Sequence, residues 1–458
     1  MENENQFGLP QDLGDGLTLR WAVPEDTEAL ADFNVRIHSD NPDEPDSWLA
    51  HWVRDLMNGR HPTTKPSDFT VVVDENAGGK IVSSLNLISQ RWAYDGIEFP
   101  VGRPELVGTD PDYRRRGLVR LQMEAVHAKS AARGEMVQAI TGIPWYYRQF
   151  GYEMTIDLGG QRQYALKHTP EGKKVEEESY RLRPATAADI PFMQPLYEAQ
   201  QARSLISRVR DEALWHYEMA EAHRDSPYGR HFYVVDASTS SGTASTGSEQ
   251  PVSQQPVAYV EFKKFRQIFT VHELSVIPGH SWRAVGLFLL RHFQREADRL
   301  RATLPKPMEA VIFNLGEGHL LCEALLRELS KTRAPYAWYI RVPDLPGFMH
   351  HIAPVLEARL ADSVMAGHSG TTKLNFYTST MTLVFVEGKL TEIGTYMPER
   401  LEQGDAVFPD LTFLQLLFGY RSFAELDYAR ADCYGNEETA VLLPILFPKK
   451  YSDVTPLG

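Results

Sequence analysis

The chain has 458 residues, enough for two or three ordinary domains. Hydrophobic residues make up 43% of it and charged residues 24%, as in globular proteins that bury large cores. The net charge of −14 argues against broad binding to nucleic acid. No apolar run approaches the roughly 18 residues that a membrane span needs, and the polar start does not resemble a signal peptide. We therefore expect neither nucleic acid nor a membrane as a partner.

The two cysteines, Cys322 and Cys433, lie in different regions and do not have the spacing of metal ligands. This usage predicts a reducing compartment rather than a disulfide framework. We expect a cytoplasmic protein that binds no metal.

The first third of the sequence predicts alternating strands and helices, including a hairpin at the turn ENAGG. The predicted elements are, in order, a strand over residues 17–21, a helix from Pro24, a helix with Trp48 and Trp52 on one face, strands over residues 69–74, 80–88 and 99–109, a helix over residues 118–132 and a strand over residues 137–141.

The same marks return in order roughly 165 residues later, which predicts an internal duplication. A Ser/Thr/Gly/Gln-rich tract over residues 237–256 falls where the first copy has its hairpin turn, so we interpret it as a flexible insertion and not as a domain linker. The repeated marks are LRPA at residues 182–185 after LRWA at 19–22, FYVVD at 232–236 after TVVVD at 70–74, and HELSV at 272–276 after PELVG at 104–108.

From about residue 343 the pattern changes and predicts a third, smaller α+β domain. Its predicted elements are an amphipathic helix over residues 345–360, strands over 374–377, 381–387 and 390–394, short helices over 411–418 and 423–426, and a strand-like run over 440–447.

Residues 105–120, ELVGTDPDYRRRGLVR, lead from an apolar strand end through three arginines and a glycine into a helical pattern. The first-turn N–H groups of such a helix have no helical partner, and its dipole favours negative charge. The alternative is a solvated basic turn, which a run of three arginines often is. On an acidic protein, a short basic cluster suits a small polyanion.

The arginine run resembles the pyrophosphate loop of the GCN5-related N-acetyltransferases (GNAT), which reads Arg or Gln, two residues, Gly, one residue, then Gly or Ala. Val119 takes the last place. Residues 147–152, YRQFGY, resemble the tyrosine block of that family. With the duplication and the third domain, the chain resembles the enhanced-intracellular-survival (Eis) type, whose loop also carries a larger residue there.

The resemblance implies a mixed α/β (α+β) fold with tandem GNAT folds, each a mixed, mostly antiparallel sheet with flanking helices, and a sterol-carrier-like α+β domain at the C-terminus. The expected limits are a catalytic domain over residues 1–165, a degenerate second copy over 166–342 and the sterol-carrier-like domain over 343–458. The family also implies a hexamer.

The implied activity is transfer of an acetyl group from acetyl-CoA to a primary amine through a tetrahedral intermediate. The acceptor would be a cationic, aminoglycoside- or polyamine-like molecule or a lysine side chain. The loop would hold the pyrophosphate, and the strand end before it would pair with the pantetheine. The predicted cofactor-binding residues are Val107, Gly108, Thr109, Arg114, Arg115, Arg116, Gly117, Leu118, Val119, Arg120, Gly142 and Ile143.

The resemblance places the general acid at Tyr147, with Tyr146 as the alternative and Tyr152 as a packing residue. It places the general base at the terminal carboxylate, here that of Gly458. Bulk water, or a carboxylate acting through water, would serve as well.

The acidic residues 40–46, followed by Trp48 and Trp52, would suit a cationic amine, although a solvated loop and an amphipathic helix give the same pattern. In the second copy, residues 278–286 keep the single Arg283 and no tyrosine block follows, which predicts that its cofactor site is lost.

The competing function is non-enzymatic binding of a lipid or another small molecule by the third domain. Phe348, Phe376, Phe385 and Leu417 would line its cavity, but the same apolar spacing is what a core requires.

Overall fold

The computed structural model describes residues 6–166, 178–238, 254–452 and residue 454. The strands are β1 (Gln11–Gly14), β2 (Leu17–Trp21), β3 (Phe69–Asp74), β4 (Lys80–Tyr94), β5 (Ile97–Thr109), β6 (Val137–Ile140), β7 (Glu153–Leu158), β8 (Gln161–Ala165), β9 (Tyr180–Pro184), β10 (Ile206–Arg208), β11 (Phe232–Ser238), β12 (Gln254–Phe265), β13 (Ile268–Val276), β14 (Ala310–Phe313), β15 (Ser330–Arg333), β16 (Tyr336–Arg341), β17 (Gly370–Asn375), β18 (Thr380–Val386), β19 (Lys389–Gly394), β20 (Ala406–Val407) and β21 (Tyr434–Gly435).

The α-helices of the described residues complete the list of elements. They are α1 (Thr27–His38), α2 (Trp48–Met57), α3 (Leu118–Ala132), α4 (Ile190–Gln201), α5 (Glu212–His216), α6 (Trp282–Leu300), α7 (Leu320–Ala324), α8 (Leu345–His351), α9 (Ala353–Ala361), α10 (Thr412–Leu417), α11 (Phe423–Ala429) and α12 (Glu437–Leu446). Within the described ranges, no helix is both long enough and apolar enough to cross a membrane.

The described residues form two compact units, each discontinuous in sequence. The first comprises residues 6–156, 204–210 and 337–452, and the second comprises the remainder. The continuous domain limits expected from the sequence stay predictions.

In the first unit, one sheet has the strand order β1-β2-β3-β4-β5-β6-β16-β7, and β10 also pairs with β4. The strands from β1 to β5 pair antiparallel, and β5 pairs parallel with β6. Leu85 and Leu87 of β4 pack in one core with Met123 and Val126 of α3. Because neighbouring side chains in a strand point to opposite faces, Asn86 faces away from α3.

The sheet of the second unit repeats this arrangement, with the order β15-β8-β14-β13-β12-β11-β9. Again antiparallel strands lead to one parallel pair, β13 with β14, and a long helix follows β13 as α3 follows β5. Arg20 pairs with Asp26 at 2.7 Å, and Arg183 pairs with Asp189 at 2.7 Å. The mixed fold class and the duplication predicted from the sequence are therefore confirmed.

The predicted insertion over residues 237–256 lies largely outside the described residues, which resume at 254. The strands on either side of it, β11 and β12, pair antiparallel. The tract therefore joins the two strands of a hairpin inside one sheet.

Each sheet contains a strand that the sequence order does not suggest. Strand β16 follows the second copy in the chain, yet it lies between β6 and β7 of the first sheet. Strand β8 follows the first copy, yet it lies between β14 and β15 of the second sheet.

A third sheet, with the order β19-β18-β17-β20-β21, lies in the first unit together with helices α8 to α12. The single helix predicted over residues 345–360 is two helices, because Pro354 at the start of α9 lacks the N–H group that a continuous helix would use. The strand predicted over residues 440–447 is wrong. Residues 440–446 lie in helix α12, which Asn436 caps by accepting a hydrogen bond from the N–H of Thr439 at 2.9 Å.

We predict that a fragment of residues 1–165 does not fold as the full chain does. It lacks β16, so the edge of β6 and the apolar ring of Tyr147 lose their partners, including Tyr339. Thermal unfolding followed by circular dichroism should show a cooperative transition for the full chain and none for the fragment. A cooperative transition of the fragment at the temperature of the full chain would contradict this prediction.

Candidate active site

Strand β5 carries a β-bulge where the candidate site begins. Its pairing with β4 slips by one residue between Glu105 and Gly108. Leu106 and Val107 therefore lie opposite the single residue Leu85, and Leu106 has a positive φ of 52°. A bulge bends its strand and redirects the residues that follow it.

Beyond the first part of β5, the sheet opens between β5 and β6. These strands pair at Val101 with Val137 and at Gly102 with Gln138, and the described residues show no later pair between them. The other edge of β6 pairs with β16. The bulge therefore lies beside a gap in which backbone groups of β5 are available to an extended ligand.

The loop after β5 is fixed by polar contacts. The Asp110 carboxylate accepts hydrogen bonds from Arg36 at 2.9 Å and pairs with Lys80 at 2.9 Å. Burial raises the pKa of this carboxyl, but the two cations outweigh burial and hold the pKa below its ordinary value. The Tyr113 hydroxyl donates to Asp74 at 2.6 Å. The loop is thus preorganised without any ligand.

Helix α3 begins with backbone N–H groups that the protein does not use. Gly117 at the N-cap has a φ of 77° and no side chain to accept a hydrogen bond. Among the described residues, the N–H groups of residues 115–119 find no acceptor, whereas that of Arg120 donates to the Gly117 carbonyl at 3.0 Å. These N–H groups form a concave donor site for an anion.

The arginine side chains around this helix start are exposed. Arg114 donates to the Thr109 carbonyl at 3.3 Å, and the Arg116 guanidinium lies 5.1 Å from the ring centre of Tyr113. Arg120 lies over the Phe150 ring at 5.4 Å. The structure therefore brings the predicted loop residues together around one helix end, with their charges accessible.

Gly108 has a reason to be glycine that the sequence did not reveal. A Cβ atom on it would lie 2.9 Å from the Ile37 side chain and 3.2 Å from Nε2 of His38. The missing side chain therefore makes room for α1 on one face of the sheet.

Tyr147 lies in a short 3-10 helix, Tyr146–Phe150, and only 3% of its surface is exposed. Its ring centre is 5.6 Å from that of Tyr339. A Cβ atom on Gly142 would lie 3.8 Å from its hydroxyl oxygen, which places that oxygen at the loop after β6. The predicted residues Gly142 and Tyr147 are therefore neighbours, whereas Ile143 is largely exposed.

The two neighbouring tyrosines differ from Tyr147 in their surroundings. Tyr146 is half-buried, and burial raises the pKa of its hydroxyl although Arg120 opposes the shift. Tyr152 is fully buried, and its hydroxyl lies 2.7 Å from Nε2 of His127, whose pKa burial lowers to about 3. Tyr152 and a neutral His127 therefore form a packed pair.

Arg148 fixes the tyrosine block from the C-terminal part of the same unit. Its guanidinium bonds to Glu153, donates to Asp410 at 2.9 Å and lies over the Trp145 ring at 4.6 Å. Gln415 of α10 donates to the same Glu153 at 3.3 Å. The position of Tyr147 thus depends on a segment more than two hundred residues further along the chain.

The face of the bulge opposite α3 carries polar residues that the sequence analysis missed. Asn86 of β4 lies directly across from Glu105 of β5, and His38 of α1 approaches Gly108. The only sequence signal was one asparagine inside the apolar run SLNLIS.

Other predicted residues lie elsewhere or outside the described chain. Gly458 is not among the described residues. Residues 40–46 are mostly exposed, Trp48 stacks on Trp52 at 6.2 Å, and Trp52 is only 7% exposed. Trp52 therefore packs, and of the two rings Trp48 is the more accessible to a cation.

The second copy shows the same elements without the site. Leu274, the counterpart of Leu106, pairs directly with Val260. The slip of β13 lies two residues earlier, at His272, and therefore further from the loop that follows the strand. Strand β13 pairs with β14 as far as Val271. In the first copy the corresponding pairing, of β5 with β6, ends at Gly102.

The helix that follows in the second copy is capped by its own chain. The Ser281 hydroxyl accepts from the Ala284 N–H at 3.2 Å, and Arg283 bonds to Glu328 and to the Ala324 carbonyl. A first-turn N–H group and the single arginine of this loop thus bond within the chain.

A comparison with known protein families finds a match that covers the residues of this site. The model of the acetyltransferase (GNAT) domain matches residues 38–155, which include the bulge, the arginine loop and the tyrosine block. No curated protein matches the sequence significantly. The chain thus carries a GNAT acetyltransferase domain, and the protein is an N-acetyltransferase. Enzymes of this fold take an acyl group from a CoA thioester.

Solved structures resemble the chain over almost its whole length. A probable N-acyltransferase from Enterococcus faecalis is 14% identical with a TM-score of 0.65, and the match covers 95% of this chain and 97% of that one. A GCN5-related N-acetyltransferase from Anabaena variabilis is 14% identical with a TM-score of 0.62, covering 96% and 99%. Eis1 from Mycobacterium abscessus is 13% identical with a TM-score of 0.55, covering 95% and 97%. At these identities the likeness shows a shared fold.

We predict that replacing both Arg115 and Arg116 by glutamine weakens the binding of coenzyme A about tenfold, because charge-assisted bonds to the pyrophosphate are lost. Isothermal titration calorimetry measures the dissociation constant. Arg283→Gln, at the matching loop of the second copy, is the control and should leave it unchanged. Equal affinities of all three proteins would show that the arginine loop does not bind the cofactor.

Proposed function

We propose that this protein transfers the acetyl group of acetyl-CoA to the primary amine of a cationic small molecule, aminoglycoside- or polyamine-like, or of a lysine side chain. One observation carries the proposal. The unused N–H groups of residues 115–119 lie beside exposed arginines and next to the bulge of a GNAT domain.

The donor would bind along the opening of the sheet. The N–H groups at the start of α3 and the side chains of Arg114 to Arg116 bind the pyrophosphate. The pantetheine lies between β5 and β6 and pairs with backbone groups of Val107 to Thr109. A strand N–H at the bulge then faces the thioester oxygen, where negative charge develops during the reaction.

The chemical step is direct attack by the amine. The nitrogen lone pair of the neutral amine forms the C–N bond, and the carbonyl oxygen becomes an oxyanion. Its collapse breaks the C–S bond, and the Tyr147 hydroxyl donates a proton to the leaving sulfur. The amine nitrogen loses its surplus proton to a base, for which the Gly458 carboxylate, bulk water and a carboxylate acting through water remain the candidates.

The third domain does not favour the competing binding function. Phe348, Phe376, Phe385 and Leu417, which would line its cavity, are all buried. The Phe348 ring stacks on that of Phe418 at 5.7 Å, and the Phe376 ring lies 5.4 Å from that of Phe413. These residues form packed core. The sterol-carrier-like character of this domain, the hexamer and the cytoplasmic location stay predictions.

The experiment that tests the function measures free thiol released from acetyl-CoA in the presence of spermidine, an aminoglycoside or a lysine ester. At least one amine should accelerate the release, and acetyl-CoA should raise the melting temperature. If no amine accelerates the release and acetyl-CoA leaves the melting temperature unchanged, the proposed function fails.

We predict that Tyr147→Phe lowers kcat about a hundredfold or more, since a general acid contributes on that order. The dissociation constant of acetyl-CoA should stay within about twofold, because the ring and its packing remain. Steady-state kinetics and calorimetry measure the two quantities. Tyr146→Phe is the matched control and should keep kcat, whereas the opposite pattern would assign the acid to Tyr146.

A further inference from the structure

One tryptophan of the chain is exposed, and it lies two residues before the candidate acid. All eight tryptophans are within the described residues, and of these only Trp145 is exposed, at 68% of its surface. Ile143 in the same turn is 57% exposed, and Pro144 between them is exposed as well. Grouped exposed apolar residues indicate a contact surface, whereas a single one does not. We call residues 143–145 the tryptophan turn.

The tryptophan turn borders the candidate acid. A Cβ atom on Gly142, just before the turn, would lie 3.8 Å from the Tyr147 hydroxyl oxygen. Because consecutive Cα atoms are about 3.8 Å apart, the Cα of Ile143 lies within about 10 Å of that oxygen. The Trp145 N–H donates to the Tyr339 hydroxyl, and the Tyr339 ring centre is 5.6 Å from that of Tyr147. Groups attached to a reacting amine can therefore reach the turn.

The backbone of Trp145 has a conformation that a tryptophan rarely adopts. Its φ of 67° and ψ of −13° lie in the left-handed region, which suits glycine and is unfavourable for a bulky side chain. Strained residues of this kind are concentrated at functional sites. The exposure and the backbone strain thus point independently to a role for this ring.

The indole ring is also fixed by a cation on one of its faces. The Arg148 guanidinium lies 4.6 Å from the Trp145 ring centre. Arg148 in turn bonds to Glu153 and, at 2.9 Å, to Asp410, so its own position is fixed by two carboxylates. The ring is therefore held in place before any ligand binds, and its exposed surface is the side away from Arg148.

The exposed side of the ring suits a flat apolar group. Ile143, Pro144 and the indole offer an apolar surface. The guanidinium already lies over one face of the indole, and its positive charge opposes a second cation over the other face. An aromatic ring meets no such opposition, and it gains from stacking and from the apolar area that it covers.

We infer that Trp145 binds an aromatic ring of the acceptor, so that the enzyme selects primary amines that carry such a ring close to the nitrogen, as arylalkylamines do. This inference rests on the proposed transfer of an acetyl group to a primary amine, and it narrows the class of acceptor. Trp145 acts on specificity only, since the proton for the leaving sulfur comes from Tyr147.

The test measures kcat/KM of the full chain for phenethylamine and for cyclohexylethylamine, which has the same carbon skeleton without a flat ring. The wild type should prefer phenethylamine about fivefold, the effect of one aromatic contact. Trp145→Leu should lose this preference, whereas Trp145→Phe should keep most of it. Leucine and phenylalanine are similarly strained at a positive φ, so the two variants differ chiefly in the flat ring.

Further controls separate contact with the acceptor from a structural role. In Trp145→Leu, the dissociation constant of acetyl-CoA should stay within about twofold, because the bond to Tyr339 belongs to the backbone and is retained. The kcat/KM for spermidine, which has no ring, should also stay within about twofold. Tyr428→Leu removes another exposed ring, 94% exposed in helix α11, and should keep the preference for phenethylamine.

The outcomes distinguish the inference from the proposed function. If amines release thiol but the ratio of the two kcat/KM values is the same in the wild type and in Trp145→Leu, the inference alone is overturned. A loss of acetyl-CoA affinity or of spermidine acetylation in Trp145→Leu would also overturn it, because the ring would then serve the donor or the fold. If no amine releases thiol with the wild type, the proposed function fails and the inference fails with it.

Discussion

The slip of one residue in β5 is the constraint on which the site depends. In a regular strand, side chains alternate between the faces, and inserting one residue exchanges the faces for everything that follows. Before the slip, Glu105 shares a face with Asn86; after it, Gly108 lies under α1 on that same face. Because of the extra residue, Glu105 and Gly108 lie on the same face of the sheet, beside the opening between β5 and β6. It also fixes the point from which the arginine loop departs toward α3.

The two copies differ in how their corresponding helices, α3 and α6, are capped at the start. Ser281 caps α6 with its hydroxyl, whereas Gly117 provides no side chain to cap α3. A glycine in place of a capping serine costs a helix only about a few tenths of a kcal/mol, so the first copy leaves these N–H groups free with little loss of stability. The N–H groups left free are the donors that a pyrophosphate needs. Such local costs are common where a protein binds a ligand.

The sequence predicted the local features well and the long-range ones poorly. The arginine loop, helix α3 and the duplication follow from spacing and hydrophobic period, which act over a few turns. The insertion of β16 between β6 and β7 could not be predicted, because pairing partners far apart in the chain leave no local pattern. Helix α12 was predicted as a strand because a short apolar run fits both structures.

The central claim is that the chain has a single acetyl-CoA site, in the first copy. The stoichiometry of acetyl-CoA binding, measured by isothermal titration calorimetry on the full chain, tests it most directly. The account predicts one molecule bound per chain, since the second copy has a capped α6, an internally bonded Arg283 and no slip at Leu274, the counterpart of Leu106. Two molecules per chain, or none, would contradict it.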